Sequence, residues 1–406
     1  MNYKLLAIII LTLLQAYQLF LSVVHLRSAK NPIPDNVSDV YDPETYAKWR
    51  AYHKEKGRLG MLVSLVSFLV DVALIALNAI PAFARLFPAG HFWQLLAVVV
   101  LSALTAVFTL PFEYYDTMNI EERYGFNRST KKTFWTDQLK NLLIGLVLMT
   151  LFAWVLCLLH QALGDWLILA FACVMTAFLL GIAFLHPFFS KIFNKFTPLE
   201  EGELKDRLTG LLEKHGYKVR AIQVMDASRR TSKSNAYFTG FGKMKTIVLY
   251  DTLVQAMTPD EICAVFAHEM GHGLHKDTLK NQLFSFAQML ILGVLAWLTL
   301  RTEGVFQSFG FDGVNYGFAL MLIMSVEFAL IAPLFGLVVN YFSRRAEYRA
   351  DAQAVEEGYA EALISGLKKL ARENFADLAP SPLLVKLEYS HPTLSQRIDA
   401  IQGKKK

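Results

Sequence analysis

The chain has 406 residues, 54% of them hydrophobic and 18% charged, with 30 phenylalanines and a net charge of +5. Soluble domains average about 45–50% apolar and about 25% charged residues, so a wholly soluble protein is excluded and a membrane protein with a soluble part is implied. Cys157, Cys173 and Cys263 are too scattered for a disulfide framework or a paired-cysteine zinc site, and the modest, uneven charge speaks for membrane topology and against nucleic-acid binding.

Residues 5–25 are apolar apart from Gln15, Gln18, Ser22 and His25. The run is too long for a signal-peptide core and no small-residue cleavage pattern follows, so it reads as a first transmembrane helix. Further runs able to cross about 30 Å of hydrocarbon fall at 61–83, 93–112, 141–160, 166–186, 283–300 and 317–341, which makes seven spans. The 141–160 and 166–186 pair has an alternative reading as a buried hairpin. Loop 26–60 carries seven basic residues from Arg27 to Arg58, and loop 113–140 carries Arg123, Arg128, Lys131, Lys132 and Lys140. The alternate loops hold Arg85, no Lys or Arg, and Arg301. This alternation places the N-terminus outside and the large loops and C-terminus in the cytoplasm. Asp71 and Glu327 lie within spans, where ionisable groups face a bundle interior or water; a buried pair or helix–helix hydrogen bonds are the plain expectations.

Segment 187–282 is the largest soluble stretch. Leu204, Leu208, Leu211 and Leu212 mark an amphipathic helix ended by Gly216. Val219–Met225 reads as a strand, followed by a basic loop over Ser228–Ser234. Ala236–Thr239 and Thr246–Tyr250 form a hairpin around Gly240 and Gly242. Thr258-Pro259-Asp260-Glu261 is a capping box with proline at the first helical position. The helix it opens carries His268-Glu269-Met270-Gly271-His272. Histidines four apart share one face and reach one zinc ion, with the intervening-motif glutamate beside it as a base. A sheet edge before such a helix can hold an extended peptide next to the metal.

A catalytic zinc takes three protein ligands, and two candidates exist for the third. His275 lies on roughly the same helix face. Glu347 lies in Ser343–Asp351, just past the last span, with Asp351 one turn on.

Beyond the zinc motif, Glu121–Asn127, Ser234–Gly240, Arg344–Asp351 and His391-Pro392-Thr393-Leu394-Ser395-Gln396-Arg397 stand in a fixed order along the chain. With these the chain resembles the type I CAAX prenyl protease family, integral-membrane zinc metallopeptidases, over most of its length. The resemblance implies His268, His272 and Glu347 as ligands of one zinc ion, Glu269 as general base and Asp351 as a group orienting His268. It also implies His391 and Arg397 near the substrate or oxyanion, with Asn235, Ala236, Tyr237 and Phe238 along the substrate strand. Geometry favours the same third ligand: three imidazoles in one row span about 10 Å and approach from one side, whereas a second helix supplies a well-separated direction.

The expected fold is therefore an α-helical membrane protein, seven transmembrane helices around a large chamber that the resemblance implies, with a cytoplasmic α+β zinc metallopeptidase domain. Its parts are membrane helices in 1–186, the metallopeptidase segment 187–282, membrane helices in 283–341 and a cytoplasmic segment 342–406. The expected substrates are peptides or proteins of CAAX type, prenylated or similar, and the expected location is a bacterial inner membrane with the site facing the cytoplasm. The competing readings are a heat-shock-type membrane quality-control protease and a non-hydrolytic zinc-bound scaffold or transporter.

Overall fold

The computed structural model describes residues 2–239 and 244–403. Five long helices come first: α1 (Tyr3–Ser28), α2 (Pro43–Ala76), α3 (His91–Tyr115), α4 (Lys131–Leu163) and α5 (Leu167–Phe193). Polar side chains start three of them, because the first backbone N–H groups of a helix lack internal partners. Asn2 accepts from Leu5, Asp42 from Thr45 ahead of Pro43, and Thr130 from Thr133. A soluble segment follows with β1 (Phe196–Pro198), α6 (Glu203–Lys214), β2 (Lys218–Met225), β3 (Ala236–Thr239), β4 (Met244–Tyr250) and α7 (Pro259–Leu274). The chain then returns to long helices, α8 (Asp277–Arg301) and α9 (Tyr316–Glu356), and ends with α10 (Ala360–Glu373) and α11 (Leu394–Ile401).

Among the described residues, α1–α4, α8 and α9 are long and apolar enough to cross a membrane, and at most 28% of any of their most apolar windows is buried inside the protein. The side chains left outside, such as Leu13, Leu69, Val147 and Leu334, match a lipid-facing surface, where backbone polarity must be satisfied within each helix. The expected span 166–186 falls within α5, whose apolar stretch Leu169–Ile182 is the shorter one. Inward-facing Leu95, Val98, Ala153, Phe171, Leu292 and Ile331 join α3, α4, α5, α8 and α9 in one core.

Asp71 and Glu327 do not form the expected pair. Glu327 lies on a π-helical turn of α9 (Ile323–Glu327) and accepts the Thr299 hydroxyl of α8, which is the helix–helix alternative. Asp71 lies on an exposed face of α2.

The sheet order is β1-β2-β4-β3. β2 and β4 run parallel, with Ile222 opposite Ile247. β3 returns antiparallel on the edge, from Ala236 opposite Leu249 to Thr239 opposite Thr246, as the hairpin pattern requires; its Gly240/Gly242 turn lies outside the described residues. β1 was not legible: three residues ending in Pro198 give no alternation, yet they pair antiparallel with Gln223–Met225. Leu208, Leu212, Ile222, Ile247, Leu249, Ile262, Phe266 and Met270 fuse α6, the sheet and α7 into a second core.

Candidate active site

The capping box forms as the sequence predicts: Thr258 accepts from Glu261 N–H while Glu261 accepts from Thr258 N–H. The other ends of Glu261 hold Ser365 and Lys369 of α10, which fixes α7 in rotation as well as position. With Ile262, Phe266 and Met270 committed to the core, the 3.6-residue repeat turns His268 and His272 together towards α9. The helix stops at Leu274, His275 caps it, and Lys276 takes a left-handed conformation (φ 55°) that turns the chain into α8.

Gly271 explains how close α9 comes. A Cβ at that position would lie 2.9 Å from Ala350 Cα and 3.1 Å from Gln353 Cβ, so only glycine permits this crossing. Through it Glu347 reaches both histidines. Its Oε1 is 3.3 Å from His272 Nε2 and its Oε2 is 3.6 Å from His268 Nε2. Donor atoms of His268, His272 and Glu347 all lie within 4.8 Å of one another. His275 belongs to no such group among the described residues.

These residues fit a divalent metal. Donors around a tetrahedral ion at about 2.1 Å stand about 3.4 Å apart, close to the two separations above. Glu347 is 3% exposed, and its Oε2 is buried without a hydrogen bond. His391 Nδ1 lies 2.9 Å from that oxygen and Arg397 Nη1 3.4 Å, and a carboxylate oxygen carries two lone pairs, so one is left for a cation. The outer nitrogens are already occupied. His268 Nδ1 is 2.9 Å from Asp351 Oδ1, and His272 Nδ1 is 3.1 Å from Asp277 Oδ2. A carboxylate at Nδ1 holds the proton there and leaves Nε2 as the electron-pair donor.

The remaining expected residues divide. Glu269 is half-buried beside this group. His391 is exposed, 63% of its side chain, at the mouth of the site over Glu347. Arg397, expected near the substrate or the oxyanion, forks onto Asp351 with contacts of 2.6 and 2.9 Å, and its Nη2 is 3.3 Å from His268 Nδ1. Asp351 holds that buried guanidinium above its ordinary pKa against the opposing cost of burial. A second capping box, Thr393 with Gln396, starts α11 and aims Arg397 inward. Asn235 is exposed at the head of β3, accepting from Ala236 N–H. Ala236 packs on the core that contains Phe266 and Met270, so the edge strand runs along α7. Tyr237 packs with Met225 and Val248. Phe238 pairs through its backbone with Ile247, and its side chain lies outside the described residues.

Asp277 was missed. It is buried and also receives Arg349 of α9 at 2.8 Å and Lys280 at 3.2 Å. The only signal in the sequence was an acid five residues past the second histidine.

In the metal-free site burial lowers the His272 pKa, but Glu347 and Asp277 outweigh it and raise the value to about 9. Coordination needs neutral imidazole. Below about pH 9 uptake therefore displaces a proton from His272, and metal affinity is expected to rise about tenfold per pH unit from pH 6 towards 9. Competition against a chromophoric chelator over that range measures it; a flat profile contradicts the protonated resting state.

A family model described as Peptidase family M48 matches residues 198–405, and one described as CAAX prenyl protease N-terminal, five membrane helices, matches residues 22–195. The CAAX prenyl protease 1 homolog of Arabidopsis thaliana is 33% identical over 420 residues, covering 96% of this chain and 95% of its own. CAAX prenyl protease 1 of Saccharomyces cerevisiae is 31% identical over 408 residues, covering 92% and 89%. The crystal structure of S. mikatae Ste24p matches with a TM-score of 0.90 at 28% identity, over 98% of this chain and 99% of that one. With both its membrane half and its peptidase half matched, the chain belongs to peptidase family M48, as a multi-pass integral-membrane metallopeptidase of the CAAX prenyl protease 1 type.

Proposed function

We propose that the chain is a zinc endopeptidase that cleaves prenylated CAAX-type peptides at a site facing the cytoplasm. The observation that carries this is the donor set itself: two Nε2 atoms and one orphaned carboxylate oxygen converge, with both Nδ1 atoms pinned by carboxylates. His268, His272 and Glu347 would hold a zinc ion, which when bound would supply a Lewis acid for the scissile carbonyl and lower the pKa of the attacking water. Glu269 takes the proton from that water and delivers it to the leaving amine. Asp351 and Asp277 keep the two imidazoles in their ligating tautomers. Arg397 neutralises and orients Asp351 and so acts through it. His391, at the exposed mouth, donates to the developing oxyanion.

The substrate backbone adds to the free edge of β3, guided by Asn235 and the Ala236–Phe238 N–H and C=O groups. The Glu121–Asn127 loop, which the resemblance implies is lacking in heat-shock-type proteases, favours a CAAX-type enzyme, and it packs on the segment that leads into β3. Asn127 bridges Thr231, and Ser232 N–H donates to Phe126 C=O. Ser234 and Asn374 exchange two hydrogen bonds just before β3 begins. The helices of 1–186 and 283–341 enclose the chamber, while 187–282 and 342–406 together form the peptidase unit. The cytoplasmic assignment rests on the charge alternation of the loops. The relatives named above come from a plant and from yeasts, and do not bear on the expected bacterial inner membrane.

Incubation of detergent-purified protein with a prenylated CAAX peptide tests the reading. Cleavage is expected, lost on chelation and restored by zinc, with the unprenylated peptide cut more slowly. No cleavage of either peptide by zinc-loaded protein counts against it.

A further inference from the structure

A second convergence of ligand atoms lies where α1, α2 and the segment after α10 meet, and shares no residue with the active site. Donor atoms of His25, His53 and Asp377 fall within 4.8 Å of one another. We propose that these three residues bind a second divalent ion of the zinc class, which ties the first two membrane helices to the C-terminal catalytic segment.

The site is built in advance. Leu26 Cδ2 would lie 2.5 Å from a Cβ at Gly57, so α1 and α2 cross closely one turn from His53. This crossing brings the His25 and His53 rings to 4.2 Å between centroids. His53 Nε2 is 3.1 Å from the His25 carbonyl oxygen. A carbonyl only accepts, so Nε2 carries the proton and Nδ1 is left as the donor of an electron pair. A backbone carbonyl behind a ligating histidine is the usual supporting contact at metal sites. Trp49 stacks on His53 from the other side at 4.9 Å and prevents its rotation.

Asp377 is oriented with equal care. One oxygen accepts the Ser28 hydroxyl at 3.0 Å and the other accepts Ala379 N–H at 3.0 Å. Its segment is held by Trp49 Nε1 on the Phe375 carbonyl, Tyr41 hydroxyl on Ala376 and Asn31 on Ala379. Phe375 stays in the left-handed region (φ 49°), a conformation that a residue with a Cβ keeps only when its surroundings impose it. Two imidazoles and one carboxylate select zinc-class ions over calcium or magnesium, which prefer all-oxygen sites. His25 also lines a neighbouring cavity of about 370 Å³, together with Ser22 and Glu388.

The assignment does not depend on the reading of the active site, and its test removes that site. Full-length protein carrying His268→Ala and Glu347→Ala is stripped, loaded with Co(II) and desalted in detergent. One cobalt per chain is expected, with visible d–d absorption and a higher melting temperature than the stripped form. Adding Asp377→Asn, which keeps the side-chain shape and an acceptor for Ala379, should remove the cobalt, the absorption and the shift together. His53→Ala on the same background provides a second, independent ligand loss. A folded, monodisperse active-site variant that retains no cobalt overturns the proposal. So does a cobalt equivalent that survives both Asp377→Asn and His53→Ala.

Discussion

Glu347→Ala is expected to lose most bound metal and all hydrolysis, while His275→Ala keeps both. Glu347 contacts both histidines, and its alanine variant leaves two imidazoles of α7 on one side of an ion without this carboxylate opposite. The truncation also strips the buried Arg397 and the overlying His391 of the carboxylate at 3.4 and 2.9 Å. Unpaired buried charge is costly, so a Glu347→Gln control, which preserves volume, separates ligand loss from collapse. His275 only caps α7 before the Lys276 turn. Elemental analysis of purified variants, with peptide cleavage measured alongside, decides the assignment. Metal lost from His275→Ala and kept by Glu347→Ala reverses it.

Glu269→Gln should leave the metal content unchanged and lower kcat by about 10²–10⁴-fold, the range a positioned acid–base group contributes. The amide keeps the size of the side chain and its place beside His268, but cannot accept a proton. Because Glu269 lies outside the set of converging donor atoms, metal retention is the built-in control. Substantial turnover by a fully loaded Glu269→Gln enzyme would assign the proton transfer to another group.

The parts of this molecule that sequence revealed are those with a period or a local signature. Apolar runs located the long helices, and a four-residue box located the start of α7 to the residue. The third ligand demanded more, because Glu347 meets His272 only through a helix crossing that Gly271 permits, and crossings carry no local pattern. Asp277 escaped for a related reason: its role depends on the left-handed turn at Lys276, which nothing in Leu274-His275-Lys276 announces. Arg397 was visible as a charge within a motif of the resembled family, but its partner was not, since Asp351 reaches it from a different helix. Asp71 and Glu327 were a choice that the sequence left open. Two acids inside apolar runs invite pairing, yet helix rotation puts one on Thr299 and the other on an open face.

The crossing at Gly271 also has a bearing on the timing of synthesis. Ribosomes deliver His268 and His272 before α8 and α9 exist, Glu347 only after α9 has been threaded into the bilayer, and Arg397 almost last. A nascent chain that holds only the two histidines is a weak chelator, with no third ligand and no Asp351 yet to hold His268. Hydrolytic competence thus waits until the final membrane helix has been inserted and α11 has folded back, which spares the translocation machinery from an active protease emerging in its midst.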